Sequence, residues 1–153
     1  TEIALDLLKN EGSDFDLIDV GSGKGKTLLV WSKLMKLSQN KIYGVEYSED
    51  LLAICKNNIR GIDKSDISLI NADASEINAS LFKAKLLLYL YNPFDALILK
   101  KFLTKLHEKS VVLIYNNPVH SDVLDKMGYE KIYINDSWHP SGRFTIYKSL
   151  GYL

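Results

Sequence analysis

Two patterns of hydrophobic residues alternate along the chain: short runs rich in apolar and β-branched residues, and longer segments with apolar residues every three or four positions. The first pattern is typical of buried strands and the second of amphipathic helices. The predicted strands are Asp16–Val20, Lys41–Glu46, Ile67–Asn71, Lys85–Tyr91, Ser110–Tyr115, Tyr129–Ile134 and Arg143–Ser149. The predicted helices are Lys26–Leu37, Glu49–Arg60, Phe94–His107 and Ser121–Lys126, after an opening helical pattern at Ile3, Leu5, Leu7 and Leu8.

The order of these elements predicts the fold. A strand followed by a helix, repeated, is the βαβ rhythm of a parallel sheet. The runs Leu86–Leu90 and Val111–Ile114 are continuously apolar, as central strands covered on both faces should be, and we expect both to flank the first strand. Turn-forming residues fill the short connection Asn135–Gly142 between the last two strands. We therefore predict an α/β fold, a seven-stranded, mostly parallel, doubly wound sheet with one antiparallel strand in a C-terminal hairpin.

Composition narrows the class of protein. A length of 153 residues, 46% of them hydrophobic, suits a single domain over residues 1–153. The 19 basic and 19 acidic residues cancel, which gives no overall field for nucleic acid. No apolar run approaches the roughly 20 residues of a membrane span, and the chain opens with a helical pattern rather than a signal peptide. Cys55 is the only cysteine, so we expect a buried thiol and a reducing cytoplasm.

Three alternating glycines, Gly21, Gly23 and Gly25, join the first predicted strand to the first predicted helix. Such glycines let the backbone turn sharply and approach a ligand without a Cβ, and the following helix start offers free N–H groups. A nucleotide-like ligand is the first hypothesis. A P-loop would need glycine in place of Val20, and a dinucleotide-binding turn would need it in place of Lys26. The segment fits neither template fully.

An acidic residue, Glu46, ends the second predicted strand, about 20 residues beyond the glycines. Ligands of open α/β sheets bind beyond the carboxyl ends of the strands, and a carboxylate at this distance can bind both ribose hydroxyls. We assign Glu46 to a ribose. A helix-capping carboxylate is the alternative, although Ser48 and Glu49 already suit the start of the next helix. Tyr47 is expected either on an adenine face or packed on its own helix.

The pattern Asp19-x-Gly21-x-Gly23-x-Gly25 resembles motif I of the class I S-adenosylmethionine-dependent methyltransferases. The resemblance implies that Asp19, Ser22 and the glycines receive the methionine end of S-adenosylmethionine. It extends over nearly the whole chain, from Asp16 through the terminal hairpin, and is strongest to small bacterial members of unassigned substrate.

The end of the third predicted strand, Ile70-Asn71-Ala72-Asp73-Ala74, is similar to motif III of the same family. This similarity implies that Asp73 accepts a hydrogen bond from the adenine amino group and that the backbone N–H of Ala74 donates to the ring. On spacing alone, Asp73 is equally well a turn or N-cap aspartate.

The end of the fourth predicted strand, Tyr91-Asn92-Pro93-Phe94, is similar to the Asn/Asp-Pro-Pro-Tyr/Phe motif of amino-group methyltransferases, with one proline fewer. Tyr91, Asn92 and Phe94 are therefore the predicted catalytic residues, and Tyr91 is also expected to contact the cofactor. The Asn92 amide oxygen would hold an amine, and Phe94 would present a π face to developing positive charge. Because Asn92 precedes a proline, we expect an extended backbone there. An ordinary turn with Pro93 at the first helical position is the alternative.

Two further loops, Tyr115–His120 and Asn135–Pro140, have the mixed polar and apolar character of a substrate rim. His120 or His139 is a candidate base because imidazole titrates near neutrality, although a lone loop histidine is more often a surface or packing residue. His107 suits the end of a helix.

The resulting prediction is an S-adenosylmethionine-dependent methyltransferase that transfers a methyl group in line to an unidentified acceptor, with an amine nitrogen favoured by the motif. Such chemistry needs positioning rather than a covalent nucleophile, and the sequence offers no plausible zinc ligand set, so no metal is expected. The acceptor is expected to be a small molecule or a protein, with RNA as an open alternative and no membrane. The rival functions are a nicotinamide-dependent oxidoreductase and a non-catalytic cofactor-binding module.

Overall fold

The computed structural model describes residues 4, 6, 14–34, 40–62, 67–139 and 142–149. Within this part of the chain, seven strands form one sheet: β1 (Asp16–Val20), β2 (Ile42–Glu46), β3 (Ile67–Asn71), β4 (Lys85–Tyr91), β5 (Ser110–Asn116), β6 (Tyr129–Asn135) and β7 (Phe144–Ser149). Their order is β3-β2-β1-β4-β5-β7-β6. The first five strands pair in parallel, and β7 runs antiparallel to both β5 and β6. The predicted fold class is confirmed.

The helices are α1 (Lys26–Leu34), α2 (Glu49–Asn58), α3 (Ala96–Lys105) and α4 (Ser121–Lys126), with short 3-10 turns at Ala74–Glu76 and Ala79–Leu81. Residues 35–37 of the first predicted helix, and the opening helical pattern at Ile3, Leu5, Leu7 and Leu8, lie outside the described residues. The prediction that a helix begins at Phe94 is wrong, because the Asp95 side chain accepts a hydrogen bond from the Ile98 N–H at 2.9 Å and so caps a helix that begins at Ala96. None of the described helices is long and apolar enough to cross a membrane.

Neighbouring residues of the central strands enter opposite hydrophobic clusters. Ile18 and Leu88 pack with residues of α3 and α4, whereas Leu17 and Leu87 pack with residues of α1 and α2. Helices therefore cover both faces of the sheet, which explains the continuously apolar strands. Cys55 is buried in the second cluster as a free thiol, as predicted.

The strand order reverses at β1, which has β2 on one side and β4 on the other. The expectation that β5 also flanks β1 is wrong, because β4 separates the two. Both apolar runs need helices packed on both faces of the sheet. A strand two places from β1 is covered in this way just as well as a strand directly beside β1. The reversal places a crevice beyond the carboxyl ends of β1, β2 and β4, where such sheets bind ligands.

Candidate active site

The glycine turn after β1 is held tightly between two neighbouring elements. Gly21 has a φ of 75°, and its N–H and that of Ser22 both donate to the Val45 carbonyl, at 2.9 and 3.0 Å. A Cβ on Gly21 would lie 2.8 Å from the Cβ of Pro93. Only glycine combines this left-handed conformation with this close approach, so the turn after β1 and the turn after β4 lie in direct contact.

The far side of the turn rests on α2. Gly25 has a φ of 82°, and a Cβ there would lie 2.5 Å from the Sγ of Cys55. Burial raises the pKa of the Cys55 thiol, with smaller contributions from the negative charges of Asp19 and Glu46. The thiol therefore supports the glycine turn by packing and stays protonated.

The Glu46 carboxylate, at the end of β2, joins two loops. Its Oε2 accepts a hydrogen bond from the Gly23 N–H at 2.8 Å, and its Oε1 accepts one from the Ser48 N–H at 2.9 Å. The cap of α2 is Ser48, whose side chain accepts a hydrogen bond from the Leu51 N–H. Because a carboxylate has about four acceptor positions, Glu46 retains capacity for further donors such as hydroxyl groups.

A cavity of about 650 Å³, hereafter the Glu46 cavity, opens beside this carboxylate. It brings together eight of the residues predicted from sequence: Gly21, Gly23, Glu46, Tyr47, Asp73, Ala74, Tyr91 and Phe94. Its apolar walls include Val45, Leu51 and Ile98, which sequence reasoning did not identify. The volume and the mixture of apolar walls with few polar groups are typical of a small-molecule site.

Asp73 is both a cap and a lining residue of the Glu46 cavity. Its Oδ1 accepts a hydrogen bond from the Ser75 N–H at 2.8 Å and so caps the first 3-10 turn. The hydrogen bonds from the backbone and side chain of Ser75 lower the pKa of Asp73. The residue is thus an ionised hydrogen-bond acceptor at the rim of the cavity, and its two readings from sequence are compatible.

The aromatic residues around the Glu46 cavity differ in exposure. Tyr47 is 77% exposed, whereas Phe94 is half-buried with its ring 6.1 Å from that of Phe102. Tyr91 is 50% exposed and lines a second cavity as well.

This second cavity, hereafter the Asp19 cavity, has a volume of about 540 Å³. It is lined by Asp19, Gly21, Ser22, Lys24, Lys26, Thr27, Val30, Trp31, Tyr89, Tyr91 and Asn116. Gly21 and Tyr91 belong to both cavities. A ligand that extends from one cavity to the other must therefore pass these two residues.

Asp19 is buried at the end of β1, and this burial raises its pKa to about 7. A hydrogen bond from the Thr27 side chain opposes the shift, and the negative charge of Glu46 adds to it. The Asp19 carboxyl group thus changes its charge near neutral pH, inside a cavity that also contains Lys24 and Lys26.

Asn92 does not have the extended backbone expected of a residue before proline: its φ is 42°. The chain leaves β4 sharply to pass Gly21, and asparagine tolerates the left-handed region better than most residues. The Asn92 Oδ1 accepts a hydrogen bond from the Tyr115 hydroxyl at 3.2 Å, and Asn92 is not among the lining residues of either cavity. Its predicted contact with an amine stays a prediction. Pro93 is not at a first helical position, since α3 begins at Ala96.

Neither candidate base lines either cavity. His120 is half-buried at the start of α4, and its backbone N–H donates a hydrogen bond to the Tyr115 hydroxyl at 3.4 Å. His139 is exposed, and its ring lies 5.4 Å from that of Trp138. Neither histidine therefore shares a cavity with Asp19 or Glu46. His107 follows α3 and its ring nitrogen contacts the Thr104 carbonyl, as its position at a helix end suggested.

Sequence reasoning missed Trp31 and Tyr89 as lining residues of the Asp19 cavity, whereas Asn116 lies in the segment Tyr115–His120 that was predicted to form a substrate rim. One signal was present: Tyr89 and Tyr91 are two positions apart in an apolar strand, so they share a face. Within the described residues, no group of three or more His, Cys, Asp or Glu side chains is arranged to hold a metal ion.

Comparisons with known proteins agree with this geometry. The sequence model of a family described as a methyltransferase domain matches residues 11–146. No curated protein matches the chain. An S-adenosylmethionine-dependent methyltransferase from Aquifex aeolicus is similar in structure, with a TM-score of 0.65 and 14% identity over 95% of this chain and 88% of its own.

Two further solved structures have the same TM-score of 0.65. A putative tRNA (m1A22) methyltransferase from Streptococcus pneumoniae is 17% identical over 97% of this chain and 70% of its own. The magnesium protoporphyrin IX methyltransferase of Synechocystis, solved with bound S-adenosylmethionine, is 10% identical over 97% of this chain and 76% of its own. At these identities the similarity shows the fold.

Proposed function

The chain belongs to the methyltransferase domain family, with S-adenosylmethionine as its cofactor, and from this we propose that it binds S-adenosylmethionine across its two cavities and methylates an acceptor in the Asp19 cavity. The observation that carries the proposal is that the two cavities meet at Gly21 and Tyr91. A cofactor with its nucleoside on one side of these residues would present its methyl group to the other.

The nucleoside belongs in the Glu46 cavity on this proposal. Glu46 already accepts hydrogen bonds from the backbone N–H groups of Gly23 and Ser48, and its remaining acceptor positions bind the ribose hydroxyls. Asp73 accepts from the adenine amino group, and the Ala74 N–H donates to the ring. Support comes from the ionised state of Asp73 and from the apolar walls, against which a purine buries its faces.

The methionine end of the cofactor belongs at the glycine turn. Asp19 attracts its ammonium group, while Lys24, Lys26 and the first N–H groups of α1 suit its carboxylate. Both cations and Asp19 lie in the same cavity, so the two charged groups of the amino acid would meet charges of opposite sign there.

Transfer is a direct displacement at the sulfonium methyl group, which the cofactor already activates. The protein aligns the two reactants and excludes water. Of the three predicted catalytic residues, Tyr91 lies where the cavities meet, and we assign it to the transfer position. Phe94 lines the Glu46 cavity, and we assign its π face to the cofactor side.

The acceptor that best suits the Asp19 cavity is a small molecule or a single side chain of a protein. Its volume of about 540 Å³ must hold both the methionine end and the acceptor. We infer an acceptor nitrogen or oxygen, of which an amine nitrogen is favoured by the motif at Tyr91–Phe94.

Differential scanning fluorimetry tests the cofactor. S-adenosylmethionine and S-adenosylhomocysteine should each raise the melting temperature, because a ligand that binds the native state stabilises it by mass action. NAD and ATP should have little effect. Stabilisation by NAD or ATP, with none from either adenosyl compound, would contradict the proposal and favour an oxidoreductase or a nucleotide-binding module. Release of S-adenosylhomocysteine over metabolite, peptide and RNA panels then identifies the acceptor.

A further inference from the structure

One side chain in the Asp19 cavity lacks a hydrogen-bond partner. The Oδ1 of Asn116 is buried and has no partner among the described residues. Its Nδ2 donates to the Tyr89 hydroxyl at 3.2 Å. Because the amide nitrogen is engaged with Tyr89, the amide oxygen is the end left for another donor.

An unpaired buried carbonyl is unfavourable, and most buried polar groups of native proteins have a partner. Asn116 lines the Asp19 cavity, so a ligand in that cavity is a natural source of the missing donor. The other buried side-chain atoms without partners in the described part of the chain are Ser22 Oγ and Tyr147 Oη. Ser22 also lines the Asp19 cavity, in the glycine turn proposed for the methionine end, whereas Tyr147 lines neither cavity.

The position of Asn116 in the sheet supports a role at the transfer position. In the parallel pairing of β4 and β5, Asn116 is the register partner of Tyr91, which together with Gly21 lines both cavities. The Asn92 side chain, by contrast, is engaged with Tyr115. The amide oxygen that is available beside Tyr91 therefore belongs to β5 and not to the turn after β4.

We propose that Asn116 binds the methyl acceptor, its side-chain carbonyl accepting a hydrogen bond from an N–H or O–H of the nucleophilic atom while Tyr89 holds the amide in place. This inference rests on the proposed function. It restricts the acceptor to compounds whose nucleophilic atom carries an N–H or O–H, such as primary and secondary amines, amides and hydroxyl compounds. It disfavours tertiary amines, thioethers and carbon nucleophiles, which bring no hydrogen-bond donor.

The reaction then balances without a further reagent. The acceptor nitrogen or oxygen uses its lone pair to form a bond to the methyl carbon as the carbon–sulfur bond breaks, and the electron pair of that bond stays on sulfur in S-adenosylhomocysteine. The proton that the acceptor atom carried toward Asn116 leaves to water. Asn116 orients the lone pair and takes no proton itself.

The test needs no knowledge of the natural acceptor. Two analogues of S-adenosylmethionine with nitrogen in place of sulfur carry an arm in place of the methyl group, one hydroxyethyl and one propyl. The arms match in length and differ in the terminal donor. The wild-type protein should bind the hydroxyethyl analogue about tenfold more tightly than the propyl analogue in calorimetry, as one additional hydrogen bond in a buried site implies.

Substitution at Asn116 should abolish this preference. In Asn116→Leu the two analogues should bind within about twofold of each other, while affinity for S-adenosylhomocysteine stays unchanged. Asn116→Asp keeps an acceptor oxygen and should retain the preference. If Asn116→Leu does not fold, Tyr89→Phe, which releases the amide from its hydroxyl partner, should reduce the preference.

Two results would overturn the inference: equal binding of both analogues by the wild-type protein, or a preference that survives Asn116→Leu. In either case tight binding of S-adenosylhomocysteine would leave the proposed function standing. Failure of S-adenosylhomocysteine to bind at all would instead contradict the proposed function itself.

Discussion

Glu46 and Gly23 are joined by a hydrogen bond of 2.8 Å, in which the carboxylate at the end of β2 accepts from the backbone N–H in the middle of the glycine turn. The residue proposed for the ribose therefore also fixes the turn proposed for the methionine end. A single buried side chain orients both halves of the cofactor site before any ligand arrives. Such preorganisation lowers the cost of ordering groups on binding.

Glu46→Ala should weaken the binding of S-adenosylmethionine by about 100-fold, because the variant loses the acceptor for two hydroxyl groups and frees the N–H of Gly23. Glu46→Gln should lose less, about tenfold, since the amide keeps one acceptor oxygen. Isothermal titration calorimetry measures both values.

The matched control is Glu49→Ala, which removes an exposed carboxylate three residues away in the first turn of α2. It should change the affinity by less than about twofold, as is usual for an exposed charge. Equal affinities in Glu46→Ala and the wild-type protein would remove the assignment of Glu46 to the ribose.

Gly21→Ala should destabilise the protein by about 2 to 4 kcal/mol and prevent binding of the cofactor. The substitution combines the strain of a left-handed alanine with a clash against the Pro93 Cβ at 2.8 Å. Gly128→Ala is the control, since Gly128 has a φ of 81° and a Cβ there meets nothing within 4 Å.

Gly128→Ala should cost only the backbone strain, about 1 to 2 kcal/mol, and leave cofactor affinity unchanged. Urea unfolding compares the two variants. If both lose the same free energy of unfolding, the contact between the turn after β1 and Pro93 contributes nothing.

Strand positions and the glycine turn were predictable because their signals are local. The apolar runs predict short strands such as Asp16–Val20, and the alternating glycines predict a sharp turn. That Glu46 and Asp73 line the same cavity was predictable because parallel strands place their carboxyl ends at one edge of the sheet.

Other features depend on contacts that no local pattern encodes. Asn92 adopts a left-handed conformation because the chain must pass Gly21, and proline alone predicts the opposite. The role proposed for Asn116 rests on its register with Tyr91 and its contact with Tyr89, both of which require the pairing of β4 with β5. The split into two cavities is likewise a property of the packed sheet and not of any motif.

The raised pKa of Asp19 should make stability depend on pH. Burial raises this pKa from 3.8 to about 7, so the native state holds a proton that the unfolded chain releases between about pH 4 and pH 7. The free energy of unfolding should therefore fall as the pH rises through that window and level off above it.

Asp19→Asn removes this titration. The stability of the wild-type protein, relative to Asp19→Asn, should fall by about 2 to 3 kcal/mol between pH 5 and pH 8. Urea unfolding at both pH values provides the measurement, and the difference between the two proteins cancels the titration of other carboxylates, such as Asp73, whose pKa is lowered. Parallel pH profiles for the two proteins would show that Asp19 has an ordinary pKa.

Variants that remove the hydrogen bond between Asn92 and Tyr115 distinguish a structural role of Asn92 from a catalytic one. Asn92→Gly keeps the left-handed backbone and removes the 3.2 Å bond, so it should lower the free energy of unfolding by about 1 kcal/mol. Asn92→Ala should cost about 1 kcal/mol more, because alanine is strained at a φ of 42°.

Tyr115→Phe removes the same bond from the other side, although it also releases the His120 N–H. The double variant with Asn92→Gly should be more stable than the sum of the single losses predicts, as a double-mutant cycle of contacting residues requires. Cofactor affinity should stay within about twofold in all three variants, because neither residue lines a cavity. Once an acceptor is known, the turnover of Asn92→Gly distinguishes the two roles of Asn92. A rate near that of the wild-type protein assigns Asn92 to the fold. A loss of 100-fold or more at unchanged cofactor affinity would assign Asn92 to the acceptor, as the motif after β4 implies.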